Sequence, residues 1–98
     1  MVNDISKEEI FENLLVTENF RIERIVSKGH TSPKDFWYDQ EQNEWVFVVK
    51  GHAILFFQDE NQEIELQAGD YINIPARKKH QVKWTDPEQE TVWLAIYY

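Results

Sequence analysis

The 98-residue chain contains no cysteine, and this absence excludes several kinds of site at once. Disulfide bonds, thiolate nucleophiles and zinc sites built on cysteine all need the missing side chain. Small secreted domains usually depend on disulfide bonds, so a cysteine-free chain favours a reducing compartment. The segment from Met1 to Ile10 is polar and acidic and lacks the apolar stretch of a secretory signal. We therefore expect a cytoplasmic protein.

Glycine, proline, long apolar runs and basic residues are also scarce. Three glycines and three prolines are too few for a disordered or low-complexity chain. No apolar run approaches the roughly 18 residues that a membrane-spanning helix needs. Ten basic residues stand against 18 acidic ones, and a net charge of −8 disfavours nucleic acid, which requires a basic surface. The basic cluster Arg77 to Lys79 is interpreted as a solvated turn. We expect neither a nucleic-acid partner nor a membrane partner.

Aromatic residues are abundant by contrast, and short strands dominate the predicted elements. Four Trp, four Tyr and six Phe can bury large areas in one core. Ser6 and Glu9 fit a capping box, and the apolar spacing beyond them predicts a short helix over residues 6–15. From residue 20 onward the apolar period changes to two, which predicts about eight strands. They cover residues 20–26, 36–40, 44–49, 52–57, 63–67, 71–75, 80–85 and 91–97.

This pattern is typical of an all-β sandwich or barrel. Because no linker or internal repeat interrupts it, we predict a single domain over residues 1–98. Residues 1–19 form an N-terminal helical segment in this prediction, and residues 20–98 form the barrel.

The two strands that flank Lys50 and Gly51 are apolar on both faces. A two-residue turn there predicts a hairpin, and its register pairs Val48 with Ala53, Val46 with Leu55 and Glu44 with Phe57. The opposite face carries Trp45, Phe47, Val49, His52, Ile54 and Phe56. A sheet with one wet face should alternate apolar and polar residues, so this second face must be covered. We expect a homodimer to cover it; the alternative is a monomer in which the N-terminal helix docks there.

Two stretches carry recognisable motifs. Six residues separate Glu44 from Gly51, and the segment from Gly69 to His80 reads G-(five residues)-P-x-R-(two residues)-H. Both stretches resemble the motifs of the cupin family, except that Arg77 stands where the family usually has glycine. The resemblance implies a small RmlC-like jelly-roll barrel, a double-stranded β-helix, with a site inside it. It names no reaction, because this barrel hosts many unrelated chemistries.

The resemblance also implies where a metal would bind. Metal-binding cupins use an H-x-H pair, a glutamate and a third histidine, and Glu44 and His80 fill the last two positions. The H-x-H pair is missing. If three residues separate the pair from Glu44, Tyr38 and Gln40 stand where the two histidines would be. This alignment is preferred because Tyr38, Gln40 and Glu44 then share one side-chain parity. An amide oxygen is a weaker ligand than imidazole, so Gln40, Glu44 and His80 are expected to hold a divalent metal (Fe, Mn, Ni or Zn) loosely.

With a gap of four residues, Trp37 and Asp39 would replace Tyr38 and Gln40. We expect Trp37 and Asp39 to be rim or outer-face residues instead.

Side-chain alternation points to the same site. His80, Val82 and Trp84 share the apolar side of their strand, and Glu44 shares a side with Val46 and Val48. A carboxylate or an imidazole inside a barrel is costly unless it is paired, hydrogen-bonded or metal-bound. We therefore predict a pocket lined by Tyr38, Gln40, Glu44, His80 and Trp84. For each of them an ordinary packing role is the alternative.

Three functions stay open at this point. The first is a metal-dependent small-molecule enzyme of unknown substrate, such as an oxygenase or isomerase. The second is a metal-free barrel that binds or senses a small polar ligand. The third is a structural dimer with a vestigial pocket. Catalytic residues are not assigned, because a catalytic triad is recognised by geometry.

Overall fold

A computed structural model describes residues 8–98, which form eight strands in two sheets. The strands are β1 (Ile10–Val16), β2 (Arg21–Ser27), β3 (Glu44–Lys50), β4 (His52–Phe57), β5 (Gln62–Gln67), β6 (Tyr71–Ile74), β7 (His80–Thr85) and β8 (Thr91–Tyr97). The larger sheet has the order β1-β2-β8-β3-β6 and the smaller one β5-β4-β7, and all pairs are antiparallel. The predicted all-β jelly-roll class is confirmed. Over residues 8–98, no helix is long and apolar enough to cross a membrane.

The predicted N-terminal helix is wrong, because the part of it that the structure describes, residues 8–15, contains no helix. Ile10–Val16 forms β1 and pairs with β2, with Ile10 opposite Val26. Residues 6 and 7 lie outside the described residues. The register shifts between Asn13 and Leu15, and this bulge lets the apolar spacing resemble that of a helix. A ten-residue helix is marginal alone, whereas pairing with β2 satisfies the backbone of the strand directly.

The predicted pairing of the strands around Gly51 is wrong, although the predicted side-chain parity is right. β3 pairs with β6 and β8, and β4 pairs with β5 and β7, so the chain passes between sheets at Gly51. Gly51 has φ 101°, and a Cβ there would lie 2.5 Å from the hydroxyl oxygen of Thr91, so only glycine fits. Both strands still turn the same side chains inward.

The barrel interior is packed from both sheets. Its ten buried apolar residues are Val46, Val48, Ala53, Leu55, Phe57, Leu66, Ile74, Trp93, Ala95 and Tyr97. Two ionisable residues interrupt this core, Glu44 at 7% exposure and His80 at 4%. They mark the end of the barrel where a site can form.

Candidate ligand pocket

Glu44 and His80 meet across the two sheets. Glu44 begins β3 in the larger sheet, and His80 begins β7 in the smaller one. The His80 Nε2 lies 3.4 Å from the Glu44 Oε1. Burial is costly for each group alone, and their mutual contact offsets part of that cost.

The second ring nitrogen fixes the orientation of His80. Nδ1 lies 2.8 Å from the carbonyl oxygen of Lys78, which can only accept, so Nδ1 carries a hydrogen and donates it. Nε2 is therefore the nitrogen that faces Glu44. The 3.4 Å separation is an ion-pair contact and does not have the geometry of a hydrogen bond. The pair thus places one carboxyl group and one imidazole side by side in the barrel interior.

Gln40 and Tyr38 approach this pair from the segment before β3. The Gln40 Nε2 donates to the Glu44 Oε1 at 2.8 Å. The strand predicted over residues 36–40 does not form. An isolated bridge pairs Tyr38 with His80 in its place. The Tyr38 ring stacks on the His80 imidazole with centroids 5.3 Å apart. The Arg77 backbone N–H donates to the Gln40 carbonyl at 2.8 Å and ties this segment to the second motif.

Trp84 lies outside the pocket, although strict alternation along β7 predicts it inside. The register between β4 and β7 shifts between Val82 and Trp84, so a bulge reverses the alternation. Thr85 is the residue that turns inward, with 1% exposure. Trp84 instead packs edge-on against His52 on the outer face, with ring centroids 5.0 Å apart.

Trp37 and Asp39 do not join the pair either. The Trp37 ring packs against Phe56, with centroids 5.9 Å apart, and Asp39 forms an exposed ion pair with Arg77 at 3.1 Å. Both positions agree with the expectation of rim or outer-face residues.

A cavity of about 50 Å³ adjoins the Glu44–His80 pair. A water molecule occupies roughly 10–15 Å³ on this measure, so the space suits roughly three to five waters or a ligand of similar size. Most of its wall is apolar or aromatic, and the lining residues are Glu9, Phe11, Ile25, Tyr38, Glu44, Val46, Leu55, Ile74, His80, Val82, Trp93 and Tyr97.

The larger sheet supplies a wall that sequence reasoning missed. Glu9 accepts a hydrogen bond from the buried Ser27 hydroxyl, which itself accepts one from the Trp93 indole Nε1 at 3.2 Å. Glu9 was hidden because its segment reads as a helix. Trp93 and Tyr97, whose sequence positions fit either a pocket rim or a dimer contact, share one parity along β8, and both line the cavity.

The hydroxyl groups of Tyr38 and Tyr97 stay protonated near neutral pH. Burial raises the pKa of Tyr38 above its ordinary value, and the carboxylates of Glu9, Glu44 and Glu23 raise it further. Burial also raises the pKa of Tyr97, with Glu44 and Glu23 adding to the effect. The Tyr97 hydroxyl donates to the Glu23 Oε1 at 3.2 Å. Both hydroxyl groups are therefore hydrogen-bond donors in a negative field.

The donors around the pair fit a resident metal ion poorly. Glu44 and His80 are the two strong ligands, and they contact each other directly. Gln40 presents its amide nitrogen to the carboxylate, and exchanging its amide atoms would supply a weak ligand only. Within residues 8–98, no group of three His, Asp or Glu side chains is spaced to hold a metal ion.

Comparisons with known proteins agree with this architecture. Residues 23–97 match the family described as "Cupin domain". A structure from Ralstonia eutropha JMP134, described as a "putative mannose-6-phosphate isomerase", is 43% identical with a TM-score of 0.88 and covers 92% of this chain and 83% of that chain. An RmlC-like cupin from Methanocaldococcus jannaschii with a double-stranded β-helix fold is 19% identical, with a TM-score of 0.75 over 99% of this chain and 84% of that one.

The polyketide cyclase RemF from Streptomyces resistomycificus is 22% identical, with a TM-score of 0.76 over 98% of this chain and 69% of that one. At this identity, as for the Methanocaldococcus structure, the likeness concerns the fold alone. A comparison with curated proteins found no match.

Proposed function

Since the chain belongs to the cupin family, we propose that its barrel pocket binds a small organic molecule at Glu44 and His80 without a resident metal ion. The observation that carries this proposal is the state of the Glu44 carboxylate. Its Oε1 contacts Gln40 and His80, whereas its Oε2 has no hydrogen-bond donor among residues 8–98. A carboxylate oxygen accepts hydrogen bonds, so a bound molecule that carries a donor can pair with it. The cysteine-free composition supports a cytoplasmic setting for this activity.

A second candidate is a metal-dependent small-molecule enzyme, with a divalent metal on Gln40, Glu44 and His80. It is favoured by the Nδ1 hydrogen bond to Lys78, which leaves the His80 Nε2, now in contact with Glu44, as the ring nitrogen that could bind a metal. The Ralstonia relative is described as an isomerase of a sugar phosphate. A cavity of about 50 Å³ is too small for that substrate, because pockets for drug-sized ligands measure about 300–1,000 Å³. The weak donor set keeps this candidate second.

Ligand-observed NMR with a library of small polar molecules tests the binding proposal. Wild-type protein should bind library members, and His80→Ala should lose that binding. His52→Ala is the matched control, because His52 lies on the outer face beside Trp84 and should leave binding unchanged. Binding that survives in a folded His80→Ala protein would overturn the assignment of the site.

Elemental analysis of the same samples by plasma mass spectrometry separates the two candidates. The proposal expects far less than one metal ion per wild-type chain, even after incubation with iron, manganese, nickel and zinc. Near-stoichiometric metal that disappears in His80→Ala would replace the metal-free function with the metal-dependent one.

We also propose that a second copy of the chain covers the outer face of the larger sheet. Side chains from four adjacent strands make this face apolar: Ile22, Val26, Val92, Leu94, Ile96, Trp45, Phe47 and Tyr71. The Trp45 ring lies 5.8 Å from that of Phe47 and 5.6 Å from that of Tyr71, and Tyr71 is 65% exposed. A contiguous apolar face of this kind is rare on a monomer.

Charge complementarity favours a copy of the same chain as the occupant. The ion pair between Glu12 and Arg24 lies on this face, and Leu94 is opposite Arg24. A twofold axis places identical patches against each other, so Arg24 of one protomer can face a partner carboxylate.

Sedimentation velocity at micromolar concentration tests this dimer. We expect wild-type protein to sediment as a dimer and Phe47→Lys as a folded monomer. Ile54→Lys is the matched control, because it adds the same charge on the outer face of the smaller sheet, opposite Glu65. A strictly monomeric wild type would overturn the proposal.

A further inference from the structure

We infer that the pocket selects a small organic cation, such as a short alkylammonium ion, over neutral and anionic molecules of the same size. This inference rests on the proposed function and adds the charge class of the ligand. It is carried by the charge of the cavity wall, the Glu44 carboxylate, the aromatic lining and the size of the cavity.

The cavity wall carries a net negative charge. Glu9 from the segment before β1 and Glu44 from β3 both line it, and neither a lysine nor an arginine does so among residues 8–98. His80 can contribute one positive charge at most, which leaves a negative excess even when the imidazole is protonated. An anion entering this cavity would meet two acidic side chains and, among residues 8–98, neither a lysine nor an arginine.

Arg21, which packs against a cavity-lining residue, is not available to an anion. Arg21 lies 3.5 Å from the Glu23 carboxylate, and its guanidinium lies over the Tyr97 ring at 4.1 Å from the centroid. Tyr97 lines the cavity, whereas Arg21 and Glu23 do not. Arg21 and Glu23 thus compensate each other, and the net charge of the cavity wall is set by Glu9, Glu44 and His80.

The Glu44 carboxylate offers a cationic ligand an acceptor. The side chain lines the cavity, its Oε1 contacts Gln40 and His80, and its Oε2 accepts no hydrogen bond from residues 8–98. An ionised carboxylate oxygen can only accept hydrogen bonds. An ammonium ion supplies donors and a compensating charge together, which no neutral molecule of this size can do.

Aromatic rings complete the lining for such an ion. Phe11, Tyr38, Trp93 and Tyr97 all border the cavity. Aromatic faces attract cations, and the gain reaches about 2 kcal/mol or more once the cation is desolvated. A cavity that suits roughly three to five waters admits a cation with a similar number of non-hydrogen atoms. The ligand class is therefore a short alkylammonium ion.

A titration with three small probes tests this inference. Isopropylammonium, 2-propanol and acetate contain equal numbers of non-hydrogen atoms and differ in charge. The readout is the indole N–H signal of Trp93 in a two-dimensional NMR spectrum, because this group donates to Ser27 beside Glu9. The titration is carried out at physiological salt concentration, because salt suppresses the non-specific attraction of cations to the acidic surface of the protein.

We expect isopropylammonium to shift the Trp93 signal saturably, with at least about tenfold higher affinity than 2-propanol, and acetate to cause no shift. Glu44→Gln should weaken isopropylammonium binding at least about tenfold. Glu65→Gln, on the outer face, should leave it unchanged. Glu9→Gln gives a second test of the wall should Glu44→Gln fail to fold, and it should weaken binding in the same direction.

Tighter or equal binding of 2-propanol or acetate at Trp93 would overturn the charge selection and leave the binding function intact. Failure of all three probes would also overturn the cation inference. The library comparison between wild type and His80→Ala then decides the binding function separately.

Discussion

Removing one partner of the Glu44–His80 contact should destabilise the protein far more than replacing both partners with apolar residues. His80→Phe leaves the Glu44 carboxylate, 7% exposed, with Gln40 as its remaining donor. An uncompensated buried charge costs about 3–5 kcal/mol, and the adjoining cavity favours the lower end of this range. Glu44→Leu leaves the His80 Nε2 without its partner, at a cost of about 1–3 kcal/mol.

The double variant Glu44→Leu/His80→Phe removes both groups and should cost less than about 2 kcal/mol, because apolar side chains of similar volume often replace a buried pair with little loss. The expected coupling free energy is therefore at least about 2 kcal/mol. Urea unfolding followed by tryptophan fluorescence measures each free energy of unfolding, provided the m-value is unchanged. The exposed pair Lys78–Glu60 is the control and should show a coupling of about 0–1 kcal/mol. A coupling below about 0.5 kcal/mol for Glu44 and His80 would refute the buried contact.

Three further predictions concern the backbone and the alkaline limit of stability. Gly51→Ala should destabilise the protein by about 2–4 kcal/mol, because it combines a left-handed φ with a close contact against Thr91. Gly69→Ala, at φ 94° with open space around it, should cost only about 1 kcal/mol. Equal losses of the two variants in urea unfolding would contradict this difference. Arg77 has φ 66°, a conformation that glycine adopts more easily than alanine. Both Arg77→Gly and Arg77→Ala lose the ion pair with Asp39, so the glycine variant should be more stable by about 1 kcal/mol because of the backbone alone. A more stable alanine variant in urea unfolding would count against backbone strain at this position. Burial raises the pKa of Tyr97, so the folded chain retains a proton that the unfolded chain releases as pH rises above the ordinary value of 10.0. The free energy of unfolding should therefore fall above about pH 10, and Tyr97→Phe should flatten this fall in urea titrations; an unchanged slope would argue against the shift.

The motif spacings predicted the barrel and the approach of Glu44 to His80, because glycine and proline report backbone geometry directly. Gly51 is needed where the chain crosses between sheets, and the position of Arg77 has the positive φ that suits the family's usual glycine. Parity along β3 and β4 also identified the interior face correctly, even though these strands do not pair. Alternation depends on the local backbone, whereas the choice of a partner strand depends on the whole chain.

The remaining parts of the pocket depend on single-residue shifts that a pattern cannot reveal. The bulge in β1 makes a strand resemble a helix, and Glu9 was missed as a consequence. The bulge in β7 reverses the side-chain alternation before Trp84 and turns Thr85 inward. The shift in β7 arises from pairing with the distant β4, which no local window of sequence contains. The shift in β1 arises within its hairpin with β2, and the apolar spacing of β1 alone does not reveal it.

A high-resolution crystal structure of the protein as purified, with anomalous data at the transition-metal edges, tests the pocket most directly. We predict that Glu44 and His80 remain in direct contact and that water or a small organic molecule, without an anomalous signal, lies against the Glu44 Oε2. A metal ion at about 2.0–2.2 Å from both a Glu44 oxygen and the His80 Nε2 would contradict the metal-free binding pocket.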